Sequence, residues 1–150
     1  MPKADEGARV GKGSRLAPPR RMTSRAALRL DRAAATLGLV VLTDSAMEHY
    51  RGGLYNRFMF AAPFLSAATL GATSGRKGGR PLVHGAAVAG GLIGTAFHLR
   101  NVVKREGKLS WLNVLYGAPI GAPLGLTFAG IFGLAANRVR QGRAKCTACA

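Results

Sequence analysis

Three histidines and two carboxylates hold most of the chemistry this sequence could perform: His49, His84 and His98, with Asp44 and Glu48. Asp44 and Glu48 are four residues apart, so on a helix they share a face. His49 follows Glu48 about 100° further round. Neutral imidazoles and carboxylates both ligate transition metals, so Asp44, Glu48, His49 and His98 form one candidate metal set. His84 and His98 are 14 residues apart, about 40° short of four full turns, so on one helix they point roughly the same way, about 21 Å from each other. Cys146 and Cys149 form a C-x-x-C at the tail, but with no strand–helix context and no second pair. A redox dithiol or a zinc site needs one or the other. The sequence has no phosphate-binding loop, no dinucleotide-binding glycine fingerprint, no H-E-x-x-H and no G-x-S-x-G. Nothing in these motifs marks an enzyme.

The spacing of His84 and His98 resembles that of the haem-binding helices of membrane b-type cytochromes, where one helix holds an axial histidine for each of two haems. The resemblance implies haem b as a cofactor, with imidazole nitrogen on the iron. The second axial ligand must then come from another helix at the same depth. For His98 that partner is His49, whereas no histidine is left for His84. The chain departs from the two-haem pattern, and the expectation is a single haem on His49 and His98. The competing reading makes both histidines half-wet interfacial side chains, with no cofactor.

These residues sit in an unusual background. Of the 150 residues 48% are hydrophobic, while 22 Lys and Arg face 6 Asp and Glu, for a net charge of +16. The charge lies in short clusters between long apolar stretches. That separation argues against a soluble nucleic-acid binder and for a membrane protein. Four stretches approach the roughly 20 apolar residues that cross a bilayer. They run over about 31–49, 58–74, 82–103 and 112–137. From Gly85 to Phe97, and again from Gly117 to Ala136, there is one hydroxyl and no charge. Helices apolar all round belong in lipid or in a large core, and this chain is too short for a large core. The expected fold is therefore an all-α integral membrane bundle of four transmembrane helices over 28–140. A disordered basic arm over 1–27 precedes it and a short tail over 141–150 follows.

Charge fixes the expected orientation. With the N-terminus inside, sixteen Lys and Arg fall on the inner side and six on the outer. Both termini are then cytoplasmic, in a bacterial inner membrane, with the mitochondrial inner membrane as the alternative because the arm is arginine-rich. In this topology Asp44, Glu48, His49, Arg51, Arg57, His98, Arg100, Trp111 and Tyr116 all gather at the outer ends of the spans. Asp44 is the one expected inside the bundle, partnered by Arg57, Arg100 or a backbone amide.

Helices in lipid associate through small residues. Two ridges offer them at spacing four: Ala86, Gly90 and Gly94, then Gly117, Gly121 and Gly125. Pro119 and Pro123 fall inside the fourth stretch and predict a kink there. The outer polar layer and these prolines are expected to meet a membrane-protein partner or a second copy. The leading function is then a non-catalytic membrane subunit or anchor of a larger complex, in a redox setting if the histidine resemblance holds. A haem- or metal-carrying electron-transfer protein and a small oligomeric transporter or channel are the alternatives.

Overall fold

The computed structural model describes residues 20–53, 56–74, 80–117 and 120–148. Four helices account for most of them: α1 over Arg20–Arg51, α2 over Ala61–Ser74, α3 over Pro81–Lys104 and α4 over Gly121–Ala148. A 3-10 turn over Arg57–Phe60 leads into α2, and a π-helical turn over Asn113–Gly117 precedes α4. No strand occurs among the described residues. Each helix packs on its neighbours in sequence, and α4 closes the ring against α1. The connectors are short, so consecutive helices run antiparallel. α1 begins and α4 finishes at one end of the bundle, here the terminal end. The α1–α2 and α3–α4 connectors lie at the far end.

Helix α3 coincides with the expected third stretch and is long and apolar enough to cross a membrane. Only 17% of its most apolar window is buried, which separates it from the core helix of a soluble protein. The other helices depart from the expected spans. α1 starts at Arg20, so the part of the expected arm from 20 to 27 is helical. Arg, Met, Ala and Leu in RRMTSRAALRL are good helix formers. The arm from 1 to 19 lies outside the described residues. α2 has 14 residues and rises only about 21 Å, less than the roughly 30 Å of a hydrocarbon core.

The expected fourth span over 112–137 is displaced to Gly121–Ala148, so most of the expected tail is helical too. The prolines are the reason. Pro123 is the third residue of α4, and Pro63 is the third of α2. In the first turn the missing N–H is one that no carbonyl of the helix would have met. Pro63 and Pro123 thus stand in first turns, where a proline is tolerated. Pro119 lies outside the described residues.

The interior is built of small residues and the exterior of large ones. α1 buries Ala27, Asp31, Ala34, Gly38, Val41 and Ser45, spaced alternately four and three apart, the repeat of a helix seam. Val41, Ala87 and Leu126 meet at the centre, with Leu65 and Ala122 against them. Leu39, Val40, Phe64, Leu92, Ile93, Phe97, Phe128 and Ile131 are exposed on the outside. Buried hydroxyls are satisfied within their own helix. Ser45 donates to the Val41 carbonyl at 2.6 Å, Thr69 to that of Leu65 at 2.7 Å and Thr127 to that of Pro123 at 3.0 Å. Such bonds let polar side chains sit in a dry interface without an orphaned group.

The seam between α3 and α4 is closest. A Cβ on Gly91 would lie 2.6 Å from the Thr127 amide nitrogen and 2.7 Å from the Pro123 carbonyl oxygen. One on Gly130 would lie 2.6 Å from the His84 carbonyl oxygen and 2.9 Å from the Val88 amide nitrogen. Of the two expected ridges, Gly90 meets Leu65 of α2, Gly94 meets Pro123, and Gly125 meets Val41 of α1. Ala86 is exposed and Gly121 faces open space. The closest approaches to the backbone of a neighbouring helix instead use Gly91 and Gly130, outside both ridges.

Candidate functional site

The residues expected in the outer layer fall at the far end of the bundle. His49 ends α1 and His98 lies in the last two turns of α3; both are half-buried. They stand close enough for their charges to act on one another, and Glu48 and Asp44 also act on His49. The Nδ1 of His98 is buried without a hydrogen-bond partner. Among the described residues no group of three or more His, Cys, Asp or Glu side chains stands together as a metal set. Asp44, expected inside, is exposed, because position 44 lies off the 27–31–34–38–41–45 seam.

The rest of this layer is surface and loop structure. Arg57, Arg100 and Trp111 are exposed, Pro123 is buried against α3, and the Tyr116 side chain lies outside the described residues. Glu48 and Arg51 form an exposed pair at 3.5 Å. Exposed pairs of this kind contribute little. Glu48→Gln is therefore expected to change thermal stability by less than about 0.5 kcal/mol, read from the unfolding midpoint of the purified protein. Asn56 caps the 3-10 turn by accepting from the Phe58 amide at 3.0 Å. Asn113 donates to the Glu106 and Lys108 carbonyls at 2.8 and 3.0 Å, bracing a connector whose Gly107 has φ +78°.

The most deeply buried charge and the fully buried imidazole are at the opposite, terminal end. Asp31 on α1 and Arg140 on α4 form an ion pair. The Asp31 side chain is 10% exposed and that of Arg140 36%, so the carboxylate is inside and the guanidinium reaches the rim. Its second oxygen Oδ1, the Arg140 Nη1 and the Asn137 Nδ2 are buried without hydrogen-bond partners. His84 is fully buried, with neither ring nitrogen bonded. Its ring lies where any side chain on Gly133 would go, so α3 and α4 close over it. Gly130, Gly133, Asn137 and Arg140 follow one another at spacings of three and four, on one face of α4. The result is a polar stripe running from His84 out to the Asp31–Arg140 pair.

That pair lines an open pocket of about 380 Å³ together with Ser24, Ala27, Leu28 and Arg143. Its α1 side presents Ser24, Ala27, Leu28 and the Asp31 carboxylate, and its α4 side Arg140 and Arg143. Residue types and spacing alone point to polar chemistry at the other end and make Asp31 the start of a span. The seam spacing of small residues through position 31 is the signal that could place it inside. No protein-family model, no curated protein and no solved structure matches this chain.

Proposed function

We propose that this chain is a four-span membrane protein acting as a non-catalytic subunit or anchor, with both termini cytoplasmic, in a bacterial inner membrane. The observation that carries this reading is the inverted distribution of side chains. Ala, Gly, Ser and Thr pack between the helices, while Leu, Ile and Phe face outward. In water such an exterior is a liability, whereas in lipid it is the expected solution. α2 with its leading 3-10 turn, and the polar start of α1, make two of the spans short or mixed. Tilting, snorkelling arginines and local thinning accommodate such segments. The exposed far-end residues Arg51, Arg57, Arg100 and Trp111 form the surface that a membrane-protein partner, or a second copy, would meet.

The test is membrane residence followed by topology. The protein is expected to stay in the membrane pellet after carbonate extraction at high pH. With Cys146 and Cys149 replaced by serine, single cysteines at Asn56→Cys and Glu106→Cys are expected to react with an impermeant maleimide on intact spheroplasts, and Gly142→Cys only after lysis. Carbonate release, or equal labelling at all three positions, would overturn the reading.

A second reading is supported by the electrostatic reach between His49 and His98: one haem b held between α1 and α3, making the chain an electron-transfer protein. It expects sharp reduced bands in the dithionite spectrum of protein purified from haem-supplied cells, lost in His98→Ala. A colourless sample removes it.

A further inference from the structure

We propose that the connector between α3 and α4 anchors the far end of the bundle in the bilayer surface. Trp111, Leu112 and Leu115 enter the boundary between headgroups and acyl chains, and Lys104, Arg105 and Lys108 lie against anionic phospholipid headgroups. The inference rests on the membrane reading above and gives Trp111 lipid, not a partner chain, as its neighbour. Ser110 starts a helical turn here: its Oγ accepts from the Asn113 amide at 3.3 Å and its carbonyl from the Val114 amide at 3.0 Å. On a helix of about 100° per residue, Trp111, Leu112 and Leu115 fall within one arc of about 100°. Trp111 is 79% exposed and Leu112 71%, while Asn113 and Val114 on the other side are half-buried. The turn therefore shows its apolar side outward and folds its polar side chain inward, the reverse of an amphipathic turn facing water.

The connector has a fixed shape. Asn113 donates to the Glu106 and Lys108 carbonyls at 2.8 and 3.0 Å, across a reversal in which Gly107 has φ +78° and Lys108 φ +41°. The second value lies in the left-handed region, which residues with a side chain seldom adopt. Depth agrees with the anchor. The 24 residues of α3 rise about 36 Å, enough for the roughly 30 Å of hydrocarbon, so Lys104 at its end reaches the headgroups. Tryptophan concentrates at that depth. Charge does not single out the connector, since Arg51, Arg57 and Arg100 also stand exposed at this end, against Asp44 and Glu48. Its exposed apolar face does, with Leu109 beside it. The exposed cations Lys104, Arg105 and Lys108, offset in the connector only by Glu106, then complement anionic headgroups. Four apolar side chains are far fewer than the roughly 20–30 residues a side of a stable protein interface, which favours lipid as the occupant.

Trp111 is the chain's single tryptophan, so its emission reports this site alone. The full-length protein is reconstituted in vesicles of phosphatidylethanolamine and phosphatidylglycerol, with a fixed share of the lipid brominated either high or low on its acyl chains. The emission is expected to be blue-shifted, quenched more by high bromines than by low ones, and little affected by acrylamide. High bromines placed on phosphatidylglycerol are expected to quench about twofold more than the same amount placed on phosphatidylethanolamine. That preference is expected to vanish in the triple variant Lys104→Gln, Arg105→Gln, Lys108→Gln. The double variant Leu112→Asn, Leu115→Asn is expected to red-shift the emission and to roughly halve the quenching. All of these positions are exposed, so neither variant disturbs the core. A red-shifted emission quenched by acrylamide would put Trp111 in water and overturn the proposal. So would a blue emission that brominated lipid leaves unchanged, which would mean a protein neighbour, or equal quenching of the wild type by the two brominated lipids. Any of these with carbonate-resistant membrane residence removes the anchor alone; release by carbonate removes both.

Discussion

Gly130→Ala is expected to destabilise this protein by about 3 kcal/mol, at the upper end of what overpacking costs. The added methyl would meet the His84 carbonyl oxygen and the Val88 amide nitrogen, at 2.6 and 2.9 Å. Both are backbone atoms of α3, and neither can swing aside as a flexible side chain would. The helices must separate, and the contacts along the rest of the seam weaken with them. Two further glycines make the comparison sharp. Gly71 in α2 and Gly85 in α3 have nothing within 4 Å of the place an added methyl would take. Gly71→Ala and Gly85→Ala are expected to be neutral, or stabilising by about 0.5–1 kcal/mol, because alanine loses less backbone freedom in a helix. Thermal unfolding of the three variants in one detergent measures the difference. If Gly130→Ala unfolds with the other two, α3 and α4 do not approach this closely.

Arg140→Ala is expected to cost about 2 kcal/mol, less than the 3–5 kcal/mol of a fully buried pair because the Arg140 side chain is 36% exposed. The loss comes from Asp31, whose carboxylate stays in the seam with nothing to offset its charge. Asp31→Ala leaves behind a guanidinium that can turn to solvent, so its cost is expected to be smaller, about 1 kcal/mol. Replacing both with leucine is expected to restore wild-type stability or exceed it, since an apolar pair has no desolvation to recover. The double-mutant cycle reads this directly from unfolding midpoints. A double variant as unstable as the sum of the singles would show that the two residues act independently.

Helix class and the limits of α3 were legible in the sequence. Residues 82–103 carry little charge and end at Pro81 and Lys104, so composition and punctuation agree. The starts of α2 and α4 were not. The spacing of Pro119 and Pro123 reads as a kink within the fourth span, whereas Pro123 stands in the first turn of α4, as Pro63 does in α2. The candidate site was misplaced for a related reason. Asp31 and Arg140 are 109 residues apart, and each in its own neighbourhood looks like an interfacial charge. Their pairing follows from the register of α1 on α4, which depends on Val41 seating on Gly125. His84 shows the same limit: its spacing to His98 says nothing of Gly133, where the absence of a side chain makes room to bury it. His49 and His98 were matched from depth alone, and the bundle does bring them into electrostatic reach of each other.

An interior made of Ala, Gly, Ser and Thr also changes the thermal character of assembly. Docking these helices immobilises few large side chains, Leu126, His84 and Val102 chief among them, because alanine and glycine have no rotors to lose and the hydroxyls are already tethered to their own helices. The long side chains, Leu92, Ile93, Phe97 and Phe128 among them, remain on the outside, where they keep most of their rotational freedom. The helices are thus brought together at a smaller side-chain entropy cost than a core of large residues would carry.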